Sequence, residues 1–305
     1  LMPDTIPGEY RSEANGVINT MGGIAAIVAT LVLSPLMDIS IELPVIGDTQ
    51  NKLPFLIAGL LVIVAVVLLF LLVREKQRAT DPSEKREPIV KSLKLIIGAK
   101  DRSALWVLLA ILFWFLGYQG LLPFVTLYSI EVLGTTRGLA GISVGMVAVA
   151  YAVFAIPSGF VAHRIGRKRF IRISLVVVTV LLLIIAAHGP IVTALGLSSS
   201  VALYSFWAML FLFGIFWGSI ITNSFPMLWQ MATYANIGIY TGLYYFFSQT
   251  AAIAAPPITG ALIDIGGYPT IFIYCAVCLA IAFVFMGRVT GGEPGEEPNT
   301  EEDLA

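Results

Sequence analysis

Neutral polar and aromatic side chains recur at helical spacing inside long apolar stretches of this sequence. The candidates are Tyr118, Gln119, Trp217, Asn223, Tyr244, Tyr245 and Gln249. Amide and hydroxyl groups bind neutral polar solutes through hydrogen bonds, and an aromatic ring can lie against the apolar face of such a solute. Because polar groups in hydrocarbon are costly unless they face a cavity or a partner, these residues are candidate solute-binding groups.

The spacing of these residues places several of them on shared helix faces. Gln119 lies four residues after Phe115, and Tyr245 lies four residues before Gln249. A separation of four is that of neighbours on one face of an α-helix. A second interpretation stays open, since Gln or Asn in a membrane helix also stabilises helix contacts, by about 0.6–2 kcal/mol.

The composition sets the environment in which these side chains act. Of the 305 residues, 58 % are hydrophobic and 12 % charged, and the mean hydropathy is +0.89. Soluble domains are about 25 % charged, so the composition excludes a soluble enzyme, a disordered chain and a nucleic-acid binder. Cys275 and Cys278 lie in an apolar run, a poor place for a disulfide or a metal. We therefore expect no metal site, and no cofactor is predicted.

Eight apolar runs alternate with polar segments along the chain. They cover residues 14–36, 53–73, 104–130, 139–162, 170–190, 201–223, 238–262 and 268–287. Each has about the 20 residues that a membrane-spanning helix needs. Short strands of alternating polarity, typical of membrane barrels, do not occur in the sequence. The sequence predicts an all-α, multi-pass protein embedded in a lipid bilayer.

The basic residues alternate from one connection to the next. If the eight spans alternate in direction, all but Lys52 and Arg137 of the 18 Lys and Arg residues fall on one side of the membrane. Connections rich in Lys and Arg are typically cytoplasmic, so this side is predicted to be the cytoplasmic one. An even number of spans places both chain ends there, and the plasma (inner) membrane is the expected location.

One short connection carries spaced glycines and basic residues. Between the fourth and fifth runs lie Gly159, His163, Arg164, Gly166, Arg167 and Lys168. This segment resembles the loop signature of the major facilitator superfamily, with one departure: His163 replaces an acidic residue that latches one conformation in the family. We expect Gly159 to let helices approach closely and Gly166 to permit a tight reversal between two spans.

A weak internal repeat accompanies this resemblance. Aligning Gly16 with Gly242 also aligns Ala25 with Ala251, and transporters commonly consist of two related halves. The resemblance implies two six-helix bundles, of which four helices would be missing before the first run. The expected organisation is the last two helices of the N-terminal bundle in 1–73, a cytoplasmic linker in 74–103, the C-terminal bundle in 104–288 and a disordered acidic tail in 289–305.

Longer stretches resemble one branch of that superfamily. Four segments are similar to glycoside–pentoside–hexuronide cation symporters and their sucrose–proton relatives: LMPDTIPGEYRSEANGVINTMGG, FWFLGYQGLLPFVTLYSIEVLG, NSFPMLWQ and IGIYTGLYYFFSQTAAIAAPPITGALID. The resemblance implies a secondary active transporter that moves a sugar or similar small polar solute by alternating access, with proton or sodium symport. No carboxylate lies deep inside the eight runs, so the coupling-cation site is expected in the missing helices.

Other functions remain as alternatives. A proton-driven exporter or a carrier of another metabolite or drug would fit the same superfamily. A non-transporting membrane receptor would fit the eight spans. A membrane enzyme would need a catalytic cluster near a span end, and the sequence offers no carboxylate cluster there and only two distant histidines, His163 and His188. A nucleotide-driven pump is disfavoured because the chain has no phosphate-binding Gly-rich loop with Lys and Ser or Thr.

Overall fold

Long apolar helices dominate the computed structural model, which describes residues 21–44, 47–72, 98, 101–232 and 237–293. Eight helices in these ranges are long and apolar enough to cross a membrane. They are α1 (Met21–Asp38), α2 (Leu53–Leu72), α3 (Ser103–Glu131), α4 (Arg137–Ile165), α5 (Arg167–Ala194), α6 (Ser199–Gln230), α7 (Ile237–Gly266) and α8 (Thr270–Gly287). The eight predicted spans and the all-α membrane fold are confirmed.

The last six helices form a bundle, and the first two lie beside it. Helix α3 packs against α7 and α8, α8 against α5, α5 against α6, and α6 against α4. Helix α1 packs against α4, and α2 contacts α1. In the bundle core the Tyr128 ring lies 5.0 Å from Phe206 and 4.9 Å from Phe272, and all three side chains are fully buried. This aromatic contact joins α3, α6 and α8.

Glycines set the closest helix approaches inside the bundle. A Cβ on Gly214 would lie 2.6 Å from the Val147 carbonyl oxygen and 2.8 Å from the Ala150 Cβ. On Gly117 a Cβ would lie 3.0 Å from the sulfur of Cys275. Small residues of this kind let membrane helices come into backbone contact. Both cysteines are free and buried, as expected of ordinary helix residues.

Helix α1 is held to the start of α4 by short polar contacts. Asp38 accepts hydrogen bonds from the Thr136 hydroxyl (2.7 Å) and the Gly138 N–H (3.2 Å). The Ser34 hydroxyl donates to the Gly138 carbonyl at 3.1 Å, and a Cβ on Gly141 would clash with Ser34. A carboxylate at a helix N-terminus is stabilising, so Asp38 both caps α4 and fixes α1 against it.

A small hairpin, absent from the sequence-based expectations, connects α1 to α2. Strands β1 (Glu42–Leu43) and β2 (Gly47–Asp48) pair in antiparallel fashion. Asp48 accepts hydrogen bonds from the Gln50 N–H and the Ser40 hydroxyl, which lower the pKa of its carboxyl. The stabilisation from this carboxylate is present above its unfolded-state pKa and is lost as the pH falls through the lowered folded-state pKa.

The starts of α3 and α5 meet the end of α8 at one end of the bundle. The Ser103 hydroxyl lies 2.6 Å from the Thr290 hydroxyl, and Lys168 donates to the Val289 carbonyl. Val289 is fully buried, so residues 289–293 pack against the bundle, in contrast to the disordered tail expected from residue 289 onward. The predictions for residues 1–20, 73–97 and 294–305 lie outside the described residues.

Candidate functional site

Aromatic rings from α3 and α6 stack in the middle of the bundle. The Tyr118 ring lies parallel to Trp217, with centroids 4.1 Å apart and an interplanar angle of 11°. Phe213 lies parallel to both rings at 6.3 Å. The edge of Phe115 meets Trp217 at 5.8 Å and 90°. These are the offset and edge-on geometries that aromatic pairs prefer.

Helix α7 joins the same group of rings. Tyr244 lies 6.1 Å from Phe115 and 4.1 Å from Phe225, and Tyr245 lies 5.9 Å from Phe225. We call this group the aromatic cluster; its members are Phe115, Tyr118, Phe213, Trp217, Phe225, Tyr244 and Tyr245. All seven side chains are uncharged, and they tie α3, α6 and α7 together.

Three of the predicted site residues are buried. Trp217, Tyr244 and Asn223 are only 4–5 % exposed. The Asn223 amide donates to the Ser219 carbonyl of its own helix at 2.8 Å. Tyr118 covers one face of the Trp217 ring. In this conformation Trp217 and Tyr244 pack against other rings of the cluster, and Asn223 is bonded within its own helix.

The other four predicted residues remain accessible. Tyr118 and Gln119 are partly buried, and Tyr245 and Gln249 are exposed. Within the described ranges, neither glutamine amide has a hydrogen bond to another residue. The alternative interpretation, in which these amides join helices by hydrogen bonds, is not supported by any contact among the described residues. We call Tyr118, Gln119, Tyr245 and Gln249 the accessible polar set.

Tyr151 of α4 was missed by the sequence-based reasoning. Its ring lies directly over Gly218, where a Cβ would come within 2.8 Å of the Tyr151 Cδ2 atom. Gly218 directly follows Trp217, so Tyr151 adds a ring from a fourth helix beside the aromatic cluster. Nothing in the spacing of α4 residues distinguishes Tyr151, because the glycine that makes room for its ring lies on another helix.

The glycine-containing loop between α4 and α5 adopts the predicted tight reversal. Gly166 has φ 92° and ψ 138°, a conformation that favours glycine. His163 and Arg164 are exposed in the last turn of α4. The expectation for Gly159 is not met in the described part of the chain, because a Cβ on Gly159 would have no atom of another helix within 4 Å.

A carboxylate from another part of the chain caps this loop. Glu293 accepts hydrogen bonds from the backbone N–H groups of Arg167 (2.6 Å) and Lys168 (3.1 Å), the first residues of α5. The Arg167 guanidinium donates to the Gly292 carbonyl at 3.4 Å. His163 stands where the family's signature has an acid, and here the negative charge at the loop comes from Glu293. No local sequence pattern links residues 163 and 293.

Replacing Glu293 with Gln is expected to loosen the segment after α8 from the start of α5. The neutral amide keeps one acceptor but loses the charge that favours the helix N-terminus, so the loss is about 1 kcal/mol. Thermal unfolding of the purified protein in detergent should show a lower midpoint. Glu131→Gln, at the exposed end of α3, is the matched control, and an equal shift in both variants would contradict this capping role.

Comparison with known proteins places this geometry in a family. The model of the Major Facilitator Superfamily matches residues 1–187 and 131–304, so the two matches together cover nearly the whole chain. The chain belongs to the Major Facilitator Superfamily. The superfamily consists of transporters, which agrees with the prediction that the chain is not an enzyme.

Individual known proteins match less of the chain than the family does. The inner membrane transport protein YajR of Escherichia coli (strain K12) is 41 % identical over 56 residues, 18 % of this chain and 12 % of that protein. The E. coli fucose:proton symporter FucP (N162A) has a TM-score of 0.56 at 17 % identity, over 79 % of this chain and 57 % of its own. A second FucP structure, in the outward conformation, gives 0.54 at 18 %, over 79 % and 56 %.

The extent of these matches limits what they show. The chain spans just over half the length of the FucP structures and about an eighth of YajR. At 17 % and 18 % identity, the two FucP structures show the superfamily fold alone. The aromatic cluster and the accessible polar set are therefore features of this chain, described from its own contacts.

Proposed function

We propose that this chain forms the solute-binding part of a secondary active transporter that moves a sugar or similar small polar solute by alternating access. The observation that carries the proposal is the accessible polar set beside the aromatic cluster. Gln119 directly follows Tyr118 on α3, and Gln249 lies one helical turn after Tyr245 on α7. Among the described residues neither amide has a hydrogen-bond partner, and both tyrosine rings belong to the aromatic cluster. Sugars have the matching chemistry, with hydroxyl groups at the rim of the ring and C–H groups on its faces.

Each part of the site has a physical task in this proposal. The amides of Gln119 and Gln249 each offer donors and an acceptor to solute hydroxyls. Tyr118 offers a ring whose orientation is held by Trp217. Tyr244 packs against Tyr245 and Phe115 and so joins α7 to α3. Asn223 is buried within α6. A neutral, partly apolar site of this kind distinguishes one solute from another by shape and hydrogen bonding rather than by charge.

The coupling cation is proposed to bind outside the described helices. The carboxylates in the described residues lie at helix ends or in connections: Asp38, Glu42, Asp48, Asp101, Glu131, Asp264 and Glu293. Cation coupling within a membrane usually uses an ionisable group inside the spans. We therefore place proton or sodium symport in the preceding helices of a twelve-helix protein, and α1 and α2 in its N-terminal bundle.

Separate observations support the superfamily branch and the membrane orientation that we propose. Resemblance of the segments around α3, α6 and α7 to glycoside–pentoside–hexuronide cation symporters supports a sugar, and FucP, whose fold the chain shares, is a fucose:proton symporter. The excess of Lys and Arg on one side supports cytoplasmic chain ends in the plasma (inner) membrane.

A second candidate function is a proton-driven exporter, or a carrier of another metabolite or drug. It is favoured by the high density of rings, since Phe115 and Phe225 present hydrocarbon beside the polar groups. The two candidates differ in proton movement. A sugar symporter moves protons inward only when its solute is added, whereas an exporter would move an apolar solute outward against proton entry.

Gln119→Ala and Gln249→Ala are each expected to lower solute uptake about tenfold. Removing an amide leaves solute hydroxyls without partners, at a cost of about 1–2 kcal/mol. Uptake of labelled sugars would be measured in cells expressing the complete gene, with membrane abundance determined in parallel. Gln50→Ala, in the exposed turn after β2, is the control. Uptake at the wild-type level in both glutamine variants would contradict the site.

A further inference from the structure

A cavity of about 440 Å³ opens between α5 and α8, and none of its lining residues belongs to the aromatic cluster. Its polar end is lined by Lys168, Arg169 and Arg172, and its apolar end by Ile173, Val176 and Phe283. Ile173 and Val176 are among the exposed apolar side chains of α5. Helix α1 packs on α4 and not on α5 or α8, so the cavity faces outward from the described bundle.

The polar end of this cavity lies near the level of the lipid headgroups. Helix α5 has 28 residues, which span roughly 42 Å at 1.5 Å per residue, whereas the hydrocarbon core is about 30 Å thick. Arg172 is in the second turn of α5, within about 8 Å of its start. A core of about 30 Å centred on α5 would begin about 6 Å from the helix start, so we expect the Arg172 guanidinium at the boundary between hydrocarbon and phosphate layer.

The Arg172 guanidinium contacts an aromatic ring and has no anionic partner within the described ranges. It lies over the Phe283 ring, 4.4 Å from the centroid. Its Nε atom is buried and has no hydrogen-bond partner among the described residues. A buried donor without a partner is costly, and arginine is the side chain best suited to bind phosphate through several parallel hydrogen bonds. The buried Nε is closed off from the cavity, so an anion there would bind the terminal N–H groups of this guanidinium.

The remaining charged groups of the cavity leave it cationic. Glu293 also lines it, but its two carboxylate oxygens accept from the first backbone N–H groups of α5. The Lys168 side chain donates to the Val289 carbonyl, which is a neutral acceptor. Arg169 is exposed at the cavity rim. Three cations against one carboxylate give a net positive site beside an apolar wall.

We propose that this cavity binds one anionic phospholipid. Arg172 and Arg169 hold the phosphate, and an acyl chain lies along Ile173 and Val176. Further exposed apolar residues of α5, Val180 and Leu183, continue that wall into the membrane. The apolar wall selects a lipid over a soluble phosphate compound, because only a lipid covers both ends of the cavity.

The test uses native mass spectrometry of the purified protein in detergent. Phosphatidylglycerol and phosphatidylcholine with the same acyl chains are added in equal amounts. The wild type is expected to retain one phosphatidylglycerol about tenfold more often than phosphatidylcholine. The double variant Arg169→Gln/Arg172→Gln should lose this preference. Arg164→Gln, which removes an exposed arginine outside the cavity, should keep it.

A second variant separates lipid binding from a folding defect. Val176→Trp leaves every charge in place but fills the apolar end, so it should also lose the retained lipid while its thermal unfolding midpoint stays near that of the wild type. The proposal is overturned by equal retention of the two lipids, by an equal loss in Arg164→Gln, or by full retention in Val176→Trp. Displacement of the lipid by glycerol phosphate, or a dimer in place of a lipid adduct, would also overturn it.

Discussion

Gly214→Leu is expected to disrupt the packing of α4 against α6 and to remove most of the folded protein from the membrane. A Cβ at this position would already lie 2.6 Å from the Val147 carbonyl oxygen and 2.9 Å from the Val147 Cα atom. The obstacle is backbone, so no side-chain rotation can relieve it. Overpacking a well-filled contact costs about 1–3 kcal/mol, and an immovable obstacle places this variant at or above the upper end.

The effect on folding would be measured as the thermal midpoint and the monodisperse yield after detergent extraction. Gly159→Leu is the matched control, since it makes the same change in α4 at a position with no atom of another helix within 4 Å of the added Cβ. The control should retain near-wild-type stability. Equal losses of thermal midpoint and yield in both variants would show that leucine is poorly tolerated at any helical glycine of this protein. That result would contradict a special role for the close α4–α6 contact in stability.

Tyr118→Ala is expected to reduce solute uptake roughly thirtyfold, equivalent to about 2 kcal/mol of lost interaction. This prediction depends on the proposed transport function. Tyr118 is the ring that combines a fixed orientation, through its 4.1 Å stack on Trp217, with access to the solute. Removing it takes away the surface on which the solute lies and also frees the face of Trp217.

Tyr118→Phe separates the role of the ring from that of the hydroxyl. It keeps the stack on Trp217 and is expected to retain most uptake. Tyr204→Ala, at a ring that is 64 % exposed on the outside of α6, is the control for loss of a tyrosine. Initial rates of labelled sugar uptake, normalised to membrane abundance, give the comparison. If Tyr118→Phe were as impaired as Tyr118→Ala, the hydroxyl and not the stacked ring would carry the interaction.

The sequence predicted those features that depend on a single local property of the chain, such as hydropathy or helical periodicity. Hydropathy predicts all eight helices because a span needs only length and apolar composition. Gly166 was predicted at the reversal between α4 and α5 because a tight turn between two helices favours the conformational freedom of glycine. The spacing of Tyr245 and Gln249 predicted that they share a face of α7, since helical periodicity is a local property.

The sequence did not predict which neighbouring helix each helix face packs against. Trp217 and Asn223 are predicted to bind solute, and in this conformation both are buried, with the Asn223 amide bonded to its own helix. Gly159 was expected at a close helix approach, while tight contacts occur at other glycines, among them Gly117, Gly214 and Gly218. Periodicity defines a face but leaves open the rotation of one helix against the next.

Composition and charge spacing are thus sufficient to identify a multi-pass helical membrane protein, and the loop from Gly159 to Arg169 is sufficient to indicate its superfamily. These conclusions depend on properties summed along the chain. The identity of the accessible polar set, the capping of α5 by Glu293 and the cavity at Arg172 depend on contacts between residues distant in sequence. Such contacts form only when the helices pack, because each contact joins two helices. The sequence of one helix does not determine how that helix is rotated against the other.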